Sequence, residues 1–169
     1  MIRTFLDKLY RLSGLAAAVS LVVILFLVVA QMIARWLELP VTGLTEIAGY
    51  CMGAASFLGL GYAFSKDSHI RVNLIISHLG SEQRTAEIIC TSISLLIATG
   101  VAIFAVKTTV LSYRFNEISQ GQDAVAIWIP QIAMSIGSII FLIALLDRIV
   151  GLIINDGRWQ PQAHVAKAD

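Results

Sequence analysis

Charged residues are scarce in this chain, which has 169 residues of which 14% are Asp, Glu, Lys or Arg. A soluble domain usually carries about a quarter charged residues, so the polar surface that water requires is missing. The net charge of +1 gives no general electrostatic basis for binding nucleic acid. Two cysteines are too few for a disulfide framework, and the chain has neither a CxxC nor a P-loop motif. These absences argue against a soluble enzyme, a nucleic-acid binder and a secreted mini-protein.

Long apolar runs take the place of the missing charge. Four stretches of 19 to 23 residues contain no charged residue, and hydrophobic residues make up 57% of the chain. A transmembrane helix needs about 20 mostly apolar residues. In hydrocarbon the backbone polar groups must be hydrogen-bonded within the protein, which leaves helices or a closed β-barrel. The runs lack the alternation of apolar and polar residues found in barrel strands, so helices are favoured. The sequence therefore predicts an all-α integral membrane protein with a four-helix domain over residues 1–153 and spans at about 12–34, 46–65, 88–106 and 126–146.

The first span follows three basic residues, as the apolar core of a secretory signal peptide does. Its apolar stretch is longer than the usual ~7–15 residues of such a core, and it lacks a clean cleavage site, so we expect a retained helix. Residues 1–12 are amphipathic. They predict either a helix lying in the membrane interface or an ordinary basic flank that fixes topology.

The distribution of Lys and Arg predicts orientation. Nine of the 12 basic residues fall before the first span, in the middle connection or after the last span, and three fall in the other two connections. This bias places both termini in the cytoplasm, with Trp36 and Trp128 as anchors near the outer interface. The tail over residues 154–169 is polar and is predicted to be loose.

The middle connection is apolar and basic. Residues 69–76 favour a helix on the membrane surface, because a strand there would leave its edges unpaired. This region contributes three candidate residues at the cytoplasmic interface: Lys66, His69 and Arg71.

Glu46 opens the second apolar stretch, directly after Thr45. One interpretation is structural: Thr45 caps the helix and Glu46 complements the helix dipole. The other is a carboxylate that faces a partner helix or a coupling cation. Pro130 also has two interpretations, a helix start or a kink within the last span.

The sequence offers no catalytic or cofactor site. The three histidines lie outside the predicted spans, which argues against a haem-binding anchor of a redox enzyme. The sequence shows no grouping of His, Cys, Asp and Glu with metal-ligand spacing, so no metal, no cofactor and no enzyme activity are predicted.

Several short segments resemble one family, the small membrane subunit of tripartite ATP-independent periplasmic (TRAP) transporters. The similarity covers residues 1–153 and departs from the family at Asn73, where an Asp is frequent. Its most specific part is a run within residues 45–73, and a weaker Trp-x-Pro feature opens the last span: Thr45–Tyr50, Phe57–Gly61, Lys66–Asn73 and Ala126–Pro130.

The resemblance implies a role in the bacterial inner membrane and two protein partners. These are a large elevator-type membrane subunit, which carries the substrate and sodium sites, and a periplasmic solute receptor. The small subunit looks like a static scaffold for sodium-driven uptake of organic acids such as dicarboxylates or sialic acid.

Two sets of residues are candidate contacts with these partners. Small residues let helices approach closely in lipid, so the small-residue face of the second span is predicted to pack on the large subunit. That set comprises Glu46, Gly49, Tyr50, Gly53, Phe57 and Gly59. Charges in the outer connections are predicted to contact the receptor: Arg35, Glu38, Arg114, Glu117 and Asp123.

An autonomous transporter is the competing hypothesis. It would be a small four-helix proton-coupled exporter that works as a homodimer, with Glu46 as the carrier. The long middle connection of this chain and the position of Glu46 at the edge of a span favour the scaffold instead.

Overall fold

The computed structural model of the protein describes residues 2–39, 41, 43–66, 83–121 and 124–154. All four of its helices are long and apolar enough to cross a membrane, by length and composition. This confirms the predicted all-α class, and each predicted span overlaps one helix. The helices are α1 (Ile2–Trp36), α2 (Leu44–Ser65), α3 (Gln83–Arg114) and α4 (Trp128–Ile154).

The four helices form a row in the order α1, α2, α4, α3. Helix α2 packs between α1 and α4, and α4 packs between α2 and α3. Within the described residues, α3 has no contact with α1 or α2, and α1 approaches α4 only slightly. The row of described helices is therefore one helix thick, and α2 and α4 each have a face that no other described helix covers.

Side-chain contacts define the direction of each helix. Thr45 at the start of α2 bonds to Gln31 near the end of α1, so α1 and α2 are antiparallel. Likewise, an ion pair joins Glu87 early in α3 to Arg148 late in α4. One end of the row thus carries the α1–α2 connection (residues 37–43) and the α3–α4 connection (residues 115–127). We call it the connection end and its opposite the terminal end.

Glycines set the close approach of α2 to its neighbours. A Cβ at Gly61 would lie 2.8 Å from Cγ2 of Ile140 in α4, and one at Gly59 would lie 3.7 Å from Ala17 in α1. At Gly137 of α4 the contact is with backbone, since a Cβ would stand 2.6 Å from the backbone carbonyl carbon of Phe57. Small residues allow such approach because helices in lipid associate by packing.

Polar side chains line the seam between α3 and α4. The hydroxyls of Thr109 and Ser135 lie 2.8 Å apart. Thr109 donates to the carbonyl of Ala105, so Ser135 is the donor between the two hydroxyls. Leu145 is fully buried in α4. The seam is thus both packed and hydrogen-bonded, which suits helices in an apolar solvent.

The buried core lies toward the terminal end. Tyr10, Ile140 and Ala144 form a buried apolar cluster that joins α1 and α4. Phe64 packs on this cluster, and its ring meets Phe141 edge to face at 5.7 Å. The cluster spans the end of α2 and is the place where α1 reaches α4.

Of the two interpretations of residues 1–12, the separate surface helix differs from the structure. Residues 2–12 are the first turns of α1, which continues through Gly14 into the span. At about 1.5 Å per residue, the 35 residues of α1 exceed the ~30 Å hydrocarbon layer, so α1 tilts or projects beyond it. The middle-connection helix predicted around residues 69–76 lies outside the described residues.

The predicted cap of α2 is wrong. Gly43 is the N-cap residue, with φ of 82°, and no side chain caps the helix. Thr45 is the second helical residue, and its hydroxyl accepts a bond of 2.7 Å from Gln31. A left-handed backbone favours glycine, which moves the helix start two residues earlier. Pro130 lies in the first turn of α4, where proline is tolerated.

Candidate functional site

Glu46 lies at the centre of a hydrogen-bonded cluster at the connection end. Its Oε1 accepts a bond of 2.5 Å from the Tyr50 hydroxyl, one turn along α2, and a second bond from the Ser119 hydroxyl. The backbone N–H of Gly121 donates to Ser119 at 3.2 Å. We call these four residues the Glu46 cluster. It joins the start of α2 to the α3–α4 connection.

The two hydroxyls of the Glu46 cluster also lie together, with Tyr50 Oη 2.9 Å from Ser119 Oγ. Each hydroxyl has one proton to donate. If Tyr50 and Ser119 both donate to Glu46, neither has a proton left for a hydrogen bond to the other. The acceptor capacity of an ionised carboxylate suits two donors on one oxygen. The arrangement therefore gives Oε1 of Glu46 two hydroxyl neighbours from this chain.

The two described parts of the α3–α4 connection, residues 115–121 and 124–127, pair with each other. Ile118 pairs with Ala126 in an antiparallel bridge, and the N–H of Ser119 donates to the carbonyl of Val125 at 2.8 Å. Ser112, fully buried at the end of α3, donates to Glu117 at 2.6 Å. These bonds define the path of the connection from α3 to the Glu46 cluster.

An aromatic contact lies at the root of this connection. Tyr113 of α3 and Trp128 of α4 meet edge to face, with ring centroids 5.5 Å apart. Trp36, at the end of α1, is 88% exposed and contacts no other ring of the described chain. Both indoles lie at the connection end. Their role as membrane anchors remains a prediction.

Four of the five predicted receptor contacts are described, and these four lie at the connection end. Arg35, Glu38 and Arg114 are exposed. Glu117 is also exposed, but its carboxylate is bonded to Ser112, so it has a structural function as well. Asp123 lies outside the described residues.

The predicted packing residues of α2 mostly make contacts within the chain. Gly53 faces Met134 of α4, Gly59 faces Ala17 of α1, and the Phe57 backbone meets Gly137. Glu46 and Tyr50 belong to the Glu46 cluster. Gly49 alone of the six is exposed with nothing within 4 Å of a Cβ. Their contact with a second subunit stays a prediction.

Sequence reasoning missed the ion pair at the terminal end. Arg148 Nε donates to Glu87 Oε1 at 3.1 Å, and Nη2 bonds to the same oxygen. Each charge borders a predicted span, which is the only signal that could have suggested the pair. Lys66 is exposed just beyond α2, whereas His69 and Arg71 lie outside the described residues.

The described residues contain no group of three or more His, Cys, Asp or Glu side chains that could hold a metal ion. Both cysteines, Cys51 and Cys90, are free. The polar contacts described above lie at the two ends of the row and along the α3–α4 seam.

Comparison with known families gives one match. The family described as "Tripartite ATP-independent periplasmic transporters, DctQ component" matches residues 10–155. Comparison with curated proteins gave no match. The family match covers the four described helices, from the third turn of α1 onward. The chain therefore belongs to the DctQ component family and is the small membrane subunit of a TRAP transporter, a multi-pass membrane protein that acts with the other subunits of that system.

Proposed function

We propose that the subunit is a static scaffold for the large membrane subunit and carries part of the docking surface for the periplasmic receptor. In this proposal the system is driven by sodium and imports a carboxylate-bearing solute, either a dicarboxylate or a sialic-acid type. Both termini lie in the cytoplasm, and the connection end faces the periplasm. The solute and the sodium coupling rest on membership of the family.

The observation that carries the scaffold proposal is the row of helices, one helix thick. An elevator transporter needs an element that stays at constant depth beside a moving one, and a wide row offers a broad face for that purpose. Lys107 lies 20 residues after Glu87, so about 30 Å of helix separates the charges that border the span of α3. Charged residues at both ends oppose vertical movement in the bilayer.

The alternative, an autonomous proton-coupled homodimer, requires a free carboxylate near the membrane. Glu46 is its only candidate carrier, and the Glu46 carboxylate already accepts two bonds within the chain. The position of Glu46 at the start of α2 favours the scaffold over this alternative.

One face of α2 is the best candidate surface for the large subunit. It is exposed along the whole helix, between α1 and α4, and it is mostly small or polar, whereas α1 and α3 expose bulky aliphatic side chains. Small and hydroxyl side chains are enriched where helices meet in membranes. The exposed face consists of Thr45, Gly49, Met52, Ser56, Leu60 and Ala63.

A pair of glycine substitutions tests this surface. We expect Gly49→Leu to reduce recovery of the large subunit with the tagged chain in mild detergent about fivefold, as a loss of roughly 1 kcal/mol would. Gly100→Leu is the matched control, because Gly100 is also an exposed helical glycine with nothing within 4 Å of a Cβ. Mass spectrometry of the purified complex measures the ratio.

Equal recovery with both variants would remove this face from the proposal. Recovery of the wild-type chain alone, as a homodimer that moves protons in liposomes, would overturn the scaffold and favour the alternative.

Reversal of the charge at Arg114 tests the docking surface. Arg114 is exposed at the end of α3. We expect Arg114→Glu to lower receptor-dependent uptake about threefold or more at low salt, with a smaller effect at high salt, because an exposed charge pair is screened. Arg114→Lys keeps the charge and should retain uptake. Unchanged uptake by Arg114→Glu would exclude this residue from docking.

A further inference from the structure

We infer that Glu46 is a positioning residue that holds the α3–α4 connection against the start of α2, so that the two connections form one unit. Only the consequence for receptor docking rests on the proposed function, because these connections carry the candidate receptor contacts. The positioning itself is argued from geometry within this chain.

The need for such a bond follows from the helix order. Helix α3 lies at the edge of the row and, among the described helices, meets only α4. Hydrogen bonds between described side chains join α2 to the connection after α3: Ser119 donates to Glu46, and the Tyr50 hydroxyl lies within hydrogen-bond distance of Ser119. The partners Glu46 and Ser119 are 73 residues apart in the chain. The bond therefore fixes the distance between the start of α2 and the connection after α3, two segments that are far apart in the sequence.

The fit around the carboxylate is close. A Cβ at Gly121 would overlap the Glu46 carboxylate group. The φ angle of Gly121 is not in the left-handed region, so backbone conformation permits alanine there, but its Cβ would have to displace the end of the Glu46 side chain. Glycine at position 121 thus lets the connection lie directly on Glu46.

The unit extends sideways to α1. Gln31 of α1 donates to Thr45 at 2.7 Å, and Thr45 immediately precedes Glu46. Thr45 therefore joins α2 to α1, and the next residue, Glu46, joins α2 to the α3–α4 connection. By this route the exposed charges Glu38 and Arg114 are set at a defined separation.

Spin-label distances in the complex with the large subunit, in nanodiscs, test the inference. Cys51 and Cys90 are first replaced by alanine, and labels are placed at the exposed positions 38 and 120. We expect Glu46→Ala to broaden the distance distribution between these labels. A second pair at positions 66 and 153, at the terminal end, should stay unchanged.

A double-mutant cycle separates positioning from a general loss of structure. Gly121→Ala should broaden the same distribution in the wild-type background and have little further effect with Glu46→Ala, because the overlapping carboxylate is then gone. Gly100→Ala is the control with no contact to disturb. Where Glu46→Ala fails to assemble, Tyr50→Phe removes one donor and should give a smaller broadening.

The outcomes distinguish the two proposals. An unchanged distribution with Glu46→Ala, or a full effect of Gly121→Ala without the carboxylate, would overturn the positioning role. We expect the Kd of the purified receptor for the complex to rise about fivefold with Glu46→Ala. A broadened distribution with an unchanged Kd would support positioning and refute receptor docking at this end.

Discussion

Gly137→Ala is expected to destabilise the subunit by about 1–3 kcal/mol, the usual cost of forcing an extra carbon into a packed interior. The new Cβ would stand 2.6 Å from the backbone carbonyl carbon of Phe57 and 2.8 Å from the backbone nitrogen of Leu58. Backbone atoms in a helix have no rotamer to change, so α2 and α4 must separate. Thermal unfolding of the purified subunit in detergent should show a fall in Tm of several degrees.

Two controls define that result. Gly100→Ala inserts the same methyl group into α3 with nothing within 4 Å, and should leave the Tm unchanged or slightly raised, since alanine favours helix. Gly61→Ala meets the end of a side chain, Cγ2 of Ile140, and should cost less than Gly137→Ala. A Tm for Gly137→Ala equal to wild type would contradict the α2–α4 packing described above.

The second large effect is expected at the terminal end. Glu87→Ala removes the Glu87 carboxylate from Arg148 in a site where the side chains are 17% and 24% exposed. Hydrogen bonds to charged groups contribute about 1.5–3 kcal/mol, and partial exposure places this pair at the low end of that range. The free energy of unfolding should fall accordingly, and α3 should become more accessible to proteolysis, because α4 is its only neighbour in the described row.

The matched control is Asp147→Asn, which removes a neighbouring carboxylate that is exposed. It should leave the unfolding transition in place. If Glu87→Ala and Asp147→Asn behave alike, the ion pair contributes no stability.

The spans could be predicted from the sequence because charge is a local signal. A helix in lipid must exclude charge over about 20 residues, and flanking residues such as Arg35 and Glu46 mark where that exclusion ends. The start of α2 was harder, since the hydroxyl of Thr45 is a good cap by residue type. Gly43 is the N-cap residue because of its left-handed backbone conformation, and the sequence pattern did not indicate that conformation.

The order of the helices could not be predicted in this way. Small residues in α2 indicate close packing, but Gly53 and Gly59 do not reveal that they face different helices of the same chain. The contacts of Glu46 with Ser119 and Gly121 could not be predicted either, because these two residues lie in a polar segment with the composition of an ordinary turn. Long-range pairing of this kind depends on the three-dimensional path of the connection and not on local pattern.

The position of α3 also has a consequence for how the protein is made. Helices α1 and α2 are consecutive and pair with each other, so their hairpin is complete once α2 has entered the membrane. Of the four described helices, α3 is made third, and neither α1 nor α2 packs on it. Its described neighbour α4 is made after it, so the surfaces of Gly61 and Phe57 that face α4 stay uncovered by α4 until that helix is in place. Helix α4 therefore closes its seams with α2 and α3 in the same step.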